Sequence, residues 1–557
     1  MKNLLKVTIL LTLAFTTACL VHAENYYLDS LQGDDTANTG HTEQQAWKTI
    51  SKINAQQLQP GDTVYFKRGG LWRETLVIPS SGTKDQAITF TAYGDGDLPI
   101  ISGADAVPAL ALTATPGVWS AALASEPTQV LINGKRGLRV ATAAEVNAEG
   151  RWQWAGNVLT VFSAKAPAPP VVEASERAYC VEVHVDNIKL ENLTLQRAAV
   201  CCITQAANSG LTVLRCRMLD GFVFGLHSGY EEAHDRGRIL GCEIARCGGC
   251  GIQFAGQMND WIIGDNHIHH CCQLHEGQVG AYKNPGDGSR WQEWSAGIKY
   301  WGFYRKGYLG AMIIERNIIE DCGPQFDAGK DPANRSCGIW FDESVDPLSR
   351  TIVRRNLVRR NQGKGIFLEK SDNCDVYSNL CYNNASLFAT ANLMVESNFG
   401  EPCRGNRIYN NTCSGGSWAM GLNCYQGKDL TDNDFKNNIA ISPSNSLYVA
   451  TDASDDGTHS KNNTFSHNCF GPATGNAIFV WGGKVQRTYA DWEAAYGGAT
   501  ASVQSDPLFV DTKHDDYHLS PTSPCRNAGI ALPDITMVDF DGIPFDPKTP
   551  NVGAYAK

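Results

Sequence analysis

Short runs of three to six residues with alternating apolar and polar positions recur along most of the chain, separated by Gly and Asn turns. That period of two predicts strands rather than helices. The runs carry a repeated mark: an apolar or β-branched residue, one or two polar residues, then Asn or Cys with Ile or Leu nearby. It falls at Asn192, Cys216, Cys242, Asn266, Asn317, Asn356, Asn379, Asn406 and Asn438, at spacings of 24, 26, 24, 51, 39, 23, 27 and 32. A second mark, Gly followed by Ile or Leu, lies between these at Gly225, Gly251, Gly297, Gly338, Gly365 and Gly421.

A unit of about 24 residues holding two or three strands is one coil of a parallel β-helix. A β-propeller blade needs four strands and about 40 residues or more, so the period is too short for one. The predicted fold is all-β, a right-handed parallel β-helix. Asn at the same turn of successive coils can hydrogen-bond from coil to coil, which explains its recurrence.

The period lapses over residues 106–180, where Val118-Trp119, Val130 to Gly134 and Trp154 to Val161 read as antiparallel hairpins. The expected organisation is therefore a leader at 1–23, a β-helix opening at 24–105 and an inserted antiparallel β-domain at 106–180. The main solenoid then fills 181–480, and a closing segment fills 481–557.

Aligning coils on the Gly-Ile/Leu mark sets their register. Alternation then turns Trp340 and Asp342 outward from Ile339-Trp340-Phe341-Asp342, Phe367 and Glu369 outward one coil on, and Met394 and Glu396 outward in the next. Asp342, Glu369 and Glu396 are spaced 27 and 27 apart and should form one solvent-facing column. Trp301 is expected before it and Tyr425 after it, with Lys299 and Asn423 in the neighbouring column. Like charges on adjacent strands repel, so a column of acids implies use. Carboxyls one rung apart sit at the roughly 5 Å of retaining glycosidases, and one of them should hold its proton. Asp342 and Glu369 are the candidate catalytic pair. Glu396, Lys299, Trp301, Trp340 and Tyr425 are expected to line the site, with Trp294 and Arg335 supplied by the long loops 272–296 and 324–336.

Composition narrows the partners. With 47 Lys+Arg against 58 Asp+Glu the net charge is −11, which argues against nucleic acid. Lys2 and Lys6, the apolar run from Val7 to Ala18, and Val21-His22-Ala23 read as an export signal cleaved before Glu24. The run is too short to span a membrane. A lipoprotein reading through Thr16-Thr17-Ala18-Cys19 competes, but Thr16 is a poor residue there. The expected location is secreted or periplasmic. The 19 cysteines match no zinc spacing, and those within apolar runs read as small core residues rather than as a disulfide framework. No motif implies an organic cofactor.

The opening Tyr26 to Asp29, Ala46 to Ile50 and Pro60 to Phe66, with the closing Ser505 to Val510 and Leu519 to Pro524, resemble the ends of secreted β-helix carbohydrate-active proteins. Gly338-Ile339-Trp340-Phe341-Asp342 followed by Ile366-Phe367-Leu368-Glu369 resembles the paired motif of β-helix glycoside hydrolases of the β-xylosidase kind. That resemblance implies Asp342 as nucleophile and Glu369 as acid/base on a poly- or oligosaccharide. A competing resemblance, Lys370-Ser371, is to β-helix polysaccharide lyases. It implies β-elimination on a uronate, with Lys370 as the base and Ca²⁺ neutralising the uronate carboxylate. Read from the residues, a lyase could also place Ca²⁺ between Glu369 and Glu396, with Lys299 or Tyr300 as base.

Overall fold

The structure is a computed structural model. It describes residues 23–557 apart from 165–168, 207, 230–232, 275–294, 303–308, 325–335, 345–348, 385–390, 399, 425–428, 444, 452–459, 473–478, 482–483, 497–498, 533–534 and 536.

The chain winds as a right-handed parallel β-helix with three long sheets, of 13, 13 and 11 strands among the described residues. One coil shows the plan. Thr351–Arg354 lies in the first sheet, Leu357–Arg359 in the second and Ile366–Glu369 in the third, and Cys374–Tyr377 returns to the first. Corresponding strands of successive coils pair in parallel, as Thr351 with Cys374 and Leu357 with Leu380. Inward Ile, Leu, Val and Phe from all three sheets stack into one continuous core.

The Asn/Cys mark is the corner between the first two sheets. A residue with positive φ turns the chain, as at Asp265 (57°), Arg316 (54°), Arg355 (55°) and Ser378 (53°). The next residue points inward. Its amide oxygen accepts from both the backbone N–H and the side-chain amide of its counterpart one coil earlier. This ladder runs Asn266, Asn317, Asn356, Asn379, Asn411, Asn438, Asn468. Cys216 and Cys242 hold the corner in the earlier coils, after Arg215 and Gly241. Asn406, expected in this series, instead joins Asn433 and Asn463 in a ladder at another corner. A third ladder, Asn361, Asn384, Asn392, continues a corner that Cys247, Cys271 and Cys322 occupy earlier. Among the described residues eighteen cysteines are buried and unbridged, several of them small inward corner residues.

The insert has its own core of Val107, Trp119, Trp152, Leu159 and Val161 between two small sheets. Two hairpins turn on pairs with positive φ, Asn133-Gly134 (51° and 77°) and Gly156-Asn157 (58° and 64°), the geometry that matches strand twist. It docks by donating to coil carbonyls. The Gln129 amide reaches Ala198 O and Asp220 O, and Arg136 reaches Gly221 O and Arg246 O.

At the far end the helix Tyr489–Tyr496 lays Trp492 edge-on to Phe465 and Phe470. The closing segment then runs back along the side of the solenoid. It meets Asn437 through Ile530 O, Asn410 through Asn551 O and Gly553 O, Ser378 through Val538 O, and Arg355 through Phe540 O. Among the described residues no helix is long and apolar enough to cross a membrane.

Candidate active site

The third sheet brings the acids into line. Trp301 pairs with Asp342, Asp342 with Glu369, Glu369 with Glu396, and Glu396 with Asn423. The strands are Ala296–Trp301, Cys337–Asp342, Ile366–Glu369, Ala391–Ser397 and Trp418–Cys424. Asn423, expected in the neighbouring column, therefore follows Glu396 in this one and donates to Glu396 Oε2 at 2.8 Å. Tyr425, placed there from the sequence, lies outside the described residues, as do Trp294 and Arg335. The misplacement has a clear cause. Gly421 faces Met394, and it is Met420 that aligns with Leu393, Ile366 and Ile339, so counting from Gly421 runs two residues too far.

The column points away from the solenoid core but is not solvent-facing. Glu369 has no exposed surface, and Asp342 and Glu396 on either side keep only 6% and 8%. The neighbouring outward column of Lys299, Trp340, Phe367 and Met394 explains part of this. Trp340 and Phe367 stack at 5.4 Å and, with Ala296, Cys337, Ala391 and Met394, form a second apolar layer outside the sheet. Lys299 Nζ sits 3.7 Å from the centre of the Trp340 ring, and Lys364 Nζ sits 3.4 Å from that of Phe367. Alternation turns Trp340 outward to line the site. Buried beneath Lys299, it instead donates its indole N–H to Glu369 Oε2 at 3.1 Å.

Each acid has a distinct set of partners. Asp342 is ion-paired through both oxygens, Oδ1 to Lys370 at 2.9 Å and Oδ2 to Lys299 at 3.4 Å. Glu369 accepts from the neutral donors Trp340 and Asn398, the latter at 2.7 Å from Oε1. Glu396 takes Asn423, a longer contact from Asn398 at 3.5 Å, and Lys364 at 3.8 Å. Burial pushes the Glu369 carboxyl up to about 7. Asp342 and Glu396 add to the rise, and Lys370 and Lys364 oppose it. Near neutral pH this column thus holds a protonatable acid beside a lysine-paired carboxylate.

Sequence reasoning passed over Lys364, Asn398 and Glu343, and weighed Lys370 only as a lyase base. Lys370 follows Glu369 as Glu343 follows Asp342, and that repeat of a charged residue just past the strand end was the available signal. Burial works against charge on Lys370, but Asp342, Glu369 and Glu343 outweigh it and hold the ammonium above the ordinary lysine range. Of the alternative bases, Tyr300 points into the core and donates to Gly256 O at 2.7 Å, and Lys299 is ion-paired with Asp342. Among the described residues no group of three or more His, Cys, Asp or Glu is arranged to hold a metal ion.

This architecture is that of the right-handed parallel β-helix proteins. A XylC structure in complex with xylose superposes with a TM-score of 0.61 at 14% identity, covering 96% of this chain and 98% of that one. A family model described as periplasmic copper-binding protein (NosD) matches residues 331–462, the coils that carry Asp342, Glu369 and Glu396. Among curated proteins, a lacto-N-biosidase of Bifidobacterium longum subsp. longum is 40% identical over 76 residues, 13% of this chain and 5% of that protein. The uncharacterized protein YwoF of Bacillus subtilis is 27% identical over 99 residues, 18% of this chain and 20% of that protein. The chain thus matches only a small part of either curated relative.

Proposed function

We propose that the protein is an exported glycoside hydrolase that cleaves a poly- or oligosaccharide with Asp342 as nucleophile and Glu369 as acid/base. The observation that carries this reading is the asymmetry between two acids on adjacent rungs. Asp342 is paired with two lysine ammoniums, while Glu369 is hydrogen-bonded by neutral donors and pushed up to about 7. Environments that separate two neighbouring carboxyls in this way separate a nucleophile from a proton donor. Adjacent strands lie about 4.8 Å apart, which suits the roughly 5 Å of a retaining pair.

In that scheme Glu369 passes its proton to the glycosidic oxygen while an Asp342 oxygen attacks the anomeric carbon, and the leaving sugar departs as an alcohol. Glu369, now a carboxylate, takes a proton from water, whose oxygen displaces Asp342. Lys299 and Lys370 hold the attacking carboxylate, and Trp340 and Asn398 aim the acid. Support also comes from the glycan-active names among the relatives, and the leader at residues 1–23 favours export.

Elimination by a lyase asks for a group able to accept a proton. Lys370 is held as an ammonium, which counts against it as that base.

The test is a panel of plant and algal polysaccharides and host-type oligosaccharides incubated with the wild-type protein, Asp342→Asn and Glu369→Gln, with products weighed by mass spectrometry. Hydrolysis products from the wild type, with each variant reduced at least about a thousandfold and normally folded, support the proposal. Near-normal turnover by either variant rejects it.

A further inference from the structure

The two acids are each followed by a charged residue that breaks the alternation of the strand. After an outward Asp342 and an outward Glu369, the next residues should turn toward the core. Glu343 and Lys370 instead adopt positive φ, 64° and 53°, a conformation that non-glycine residues take at a cost. The turn does not interrupt the coil-to-coil ladder, because Glu343 N–H donates to Glu369 O at 3.0 Å and Lys370 N–H to Glu396 O at 2.8 Å. Ser371 Oγ pins it, donating to Glu369 O at 2.8 Å. The result is that Lys370 reaches back one rung and places its ammonium 2.9 Å from Asp342 Oδ1 and 3.0 Å from Glu343 Oε1. All three side chains are buried.

We propose that Lys370, braced by Glu343, is a positioning residue that fixes the Asp342 carboxylate for attack and sets the pH range over which the Asp342–Glu369 pair works. The inference rests on the hydrolase reading above. Two features separate it from a plain structural ion pair. The lysine crosses a rung, leaving the strand after Glu369 and ending between Asp342 Oδ1 and Glu343 Oε1, so the first acid is held by the residue that follows the second. The Lys370 charge also acts on both acids, touching Asp342 directly and favouring the ionised form of Glu369. The largest other charged influences on Glu369 are Asp342, Glu396 and Lys364, and the largest on Lys370 are Asp342, Glu369 and Glu343.

The experiment compares full-length wild type, Lys370→Met, Lys370→Arg and Glu343→Gln on the glycan that the wild type turns over. Lys370→Met is expected to lower kcat by about tenfold or more with KM nearly unchanged. Without the lysine charge Glu369 holds its proton to higher pH, so the alkaline limb of kcat/KM should move up by about one unit. Lys370→Arg should restore the limb, and Glu343→Gln should lower kcat less than Lys370→Met does. A fall in kcat with the limb unmoved, or wild-type kinetics in Lys370→Met, overturns the proposal. A substrate-free readout keeps the test independent of the hydrolase reading. Infrared difference spectra between each background and its Glu369→Gln partner report the Glu369 titration directly. An upward shift in Lys370→Met upholds the electrostatic link even if the glycan screen fails, and no shift refutes it. Should Lys370→Met fail to fold, Lys370→Arg and Glu343→Gln carry the comparison.

Discussion

Replacing Glu369 with Gln should remove activity and yet make the protein more stable at alkaline pH. The carboxyl stands at an ordinary 4.5 when exposed and at about 7 in the folded chain. Its folded value is raised, so the stability carried by the protonated form is complete below 4.5 and is lost as pH rises through 7. Integrating the two titrations gives a loss of about 1 kcal/mol at pH 5 and about 3 kcal/mol at pH 8, a difference of about 2 to 3 kcal/mol. Glutamine has no such titration. It does bring a penalty of its own, because Trp340 and Asn398 both donate to the carboxyl and the new NH₂ must face one of them. That mismatch costs about 1 to 3 kcal/mol but does not change with pH. The quantity to measure is therefore the stability difference between Glu369→Gln and wild type by urea unfolding at pH 5, 6, 7 and 8. It should move in favour of the variant by about 2 to 3 kcal/mol across that range. A flat difference would show that Glu369 is already ionised in the folded protein, and the assignment of a proton donor would fall.

Three further outcomes follow from the same geometry. Asn379 accepts from Asn356 at both N–H and side-chain amide and donates to Val353 O, Tyr377 O and Asn411. Asn379→Ala orphans two or three buried groups and should cost about 3 to 6 kcal/mol by urea unfolding, whereas a loss under about 1 kcal/mol would mean the ladder is incidental. Wild-type kcat/KM should fall as pH rises past about 7, following Glu369, and a profile flat to pH 9 would contradict this. Trp340→Phe keeps the stack on Phe367 but removes the N–H on Glu369, so it should lower kcat more than KM, as seen in steady-state kinetics.

The fold was legible because β-helix coils are periodic in the chemistry of their corners. An inward side chain at a tight turn must be small and, where polar, able to bond its counterpart on the next coil, which selects Asn or Cys at Cys216, Cys242, Asn266 and Asn317. The register of Asp342, Glu369 and Glu396 followed from inward Ile339, Ile366 and Leu393. It slipped at Asn423, where the glycine taken as the mark lies two residues further along the strand. Burial was not legible. Alternation distinguishes inward from outward, but it cannot show that Trp340 and Phe367 build a second apolar layer. Nor does it foresee Lys370, whose direction depends on a left-handed turn that no residue type there demands.

The central claim is that Asp342 and Glu369 hydrolyse a glycosidic bond, and running the reaction in heavy-oxygen water tests it most directly. The account predicts one heavy oxygen on each newly formed reducing end, with the anomeric configuration of the substrate kept. Products that carry no heavy oxygen and instead show the ultraviolet absorbance of an unsaturated uronic end would contradict it.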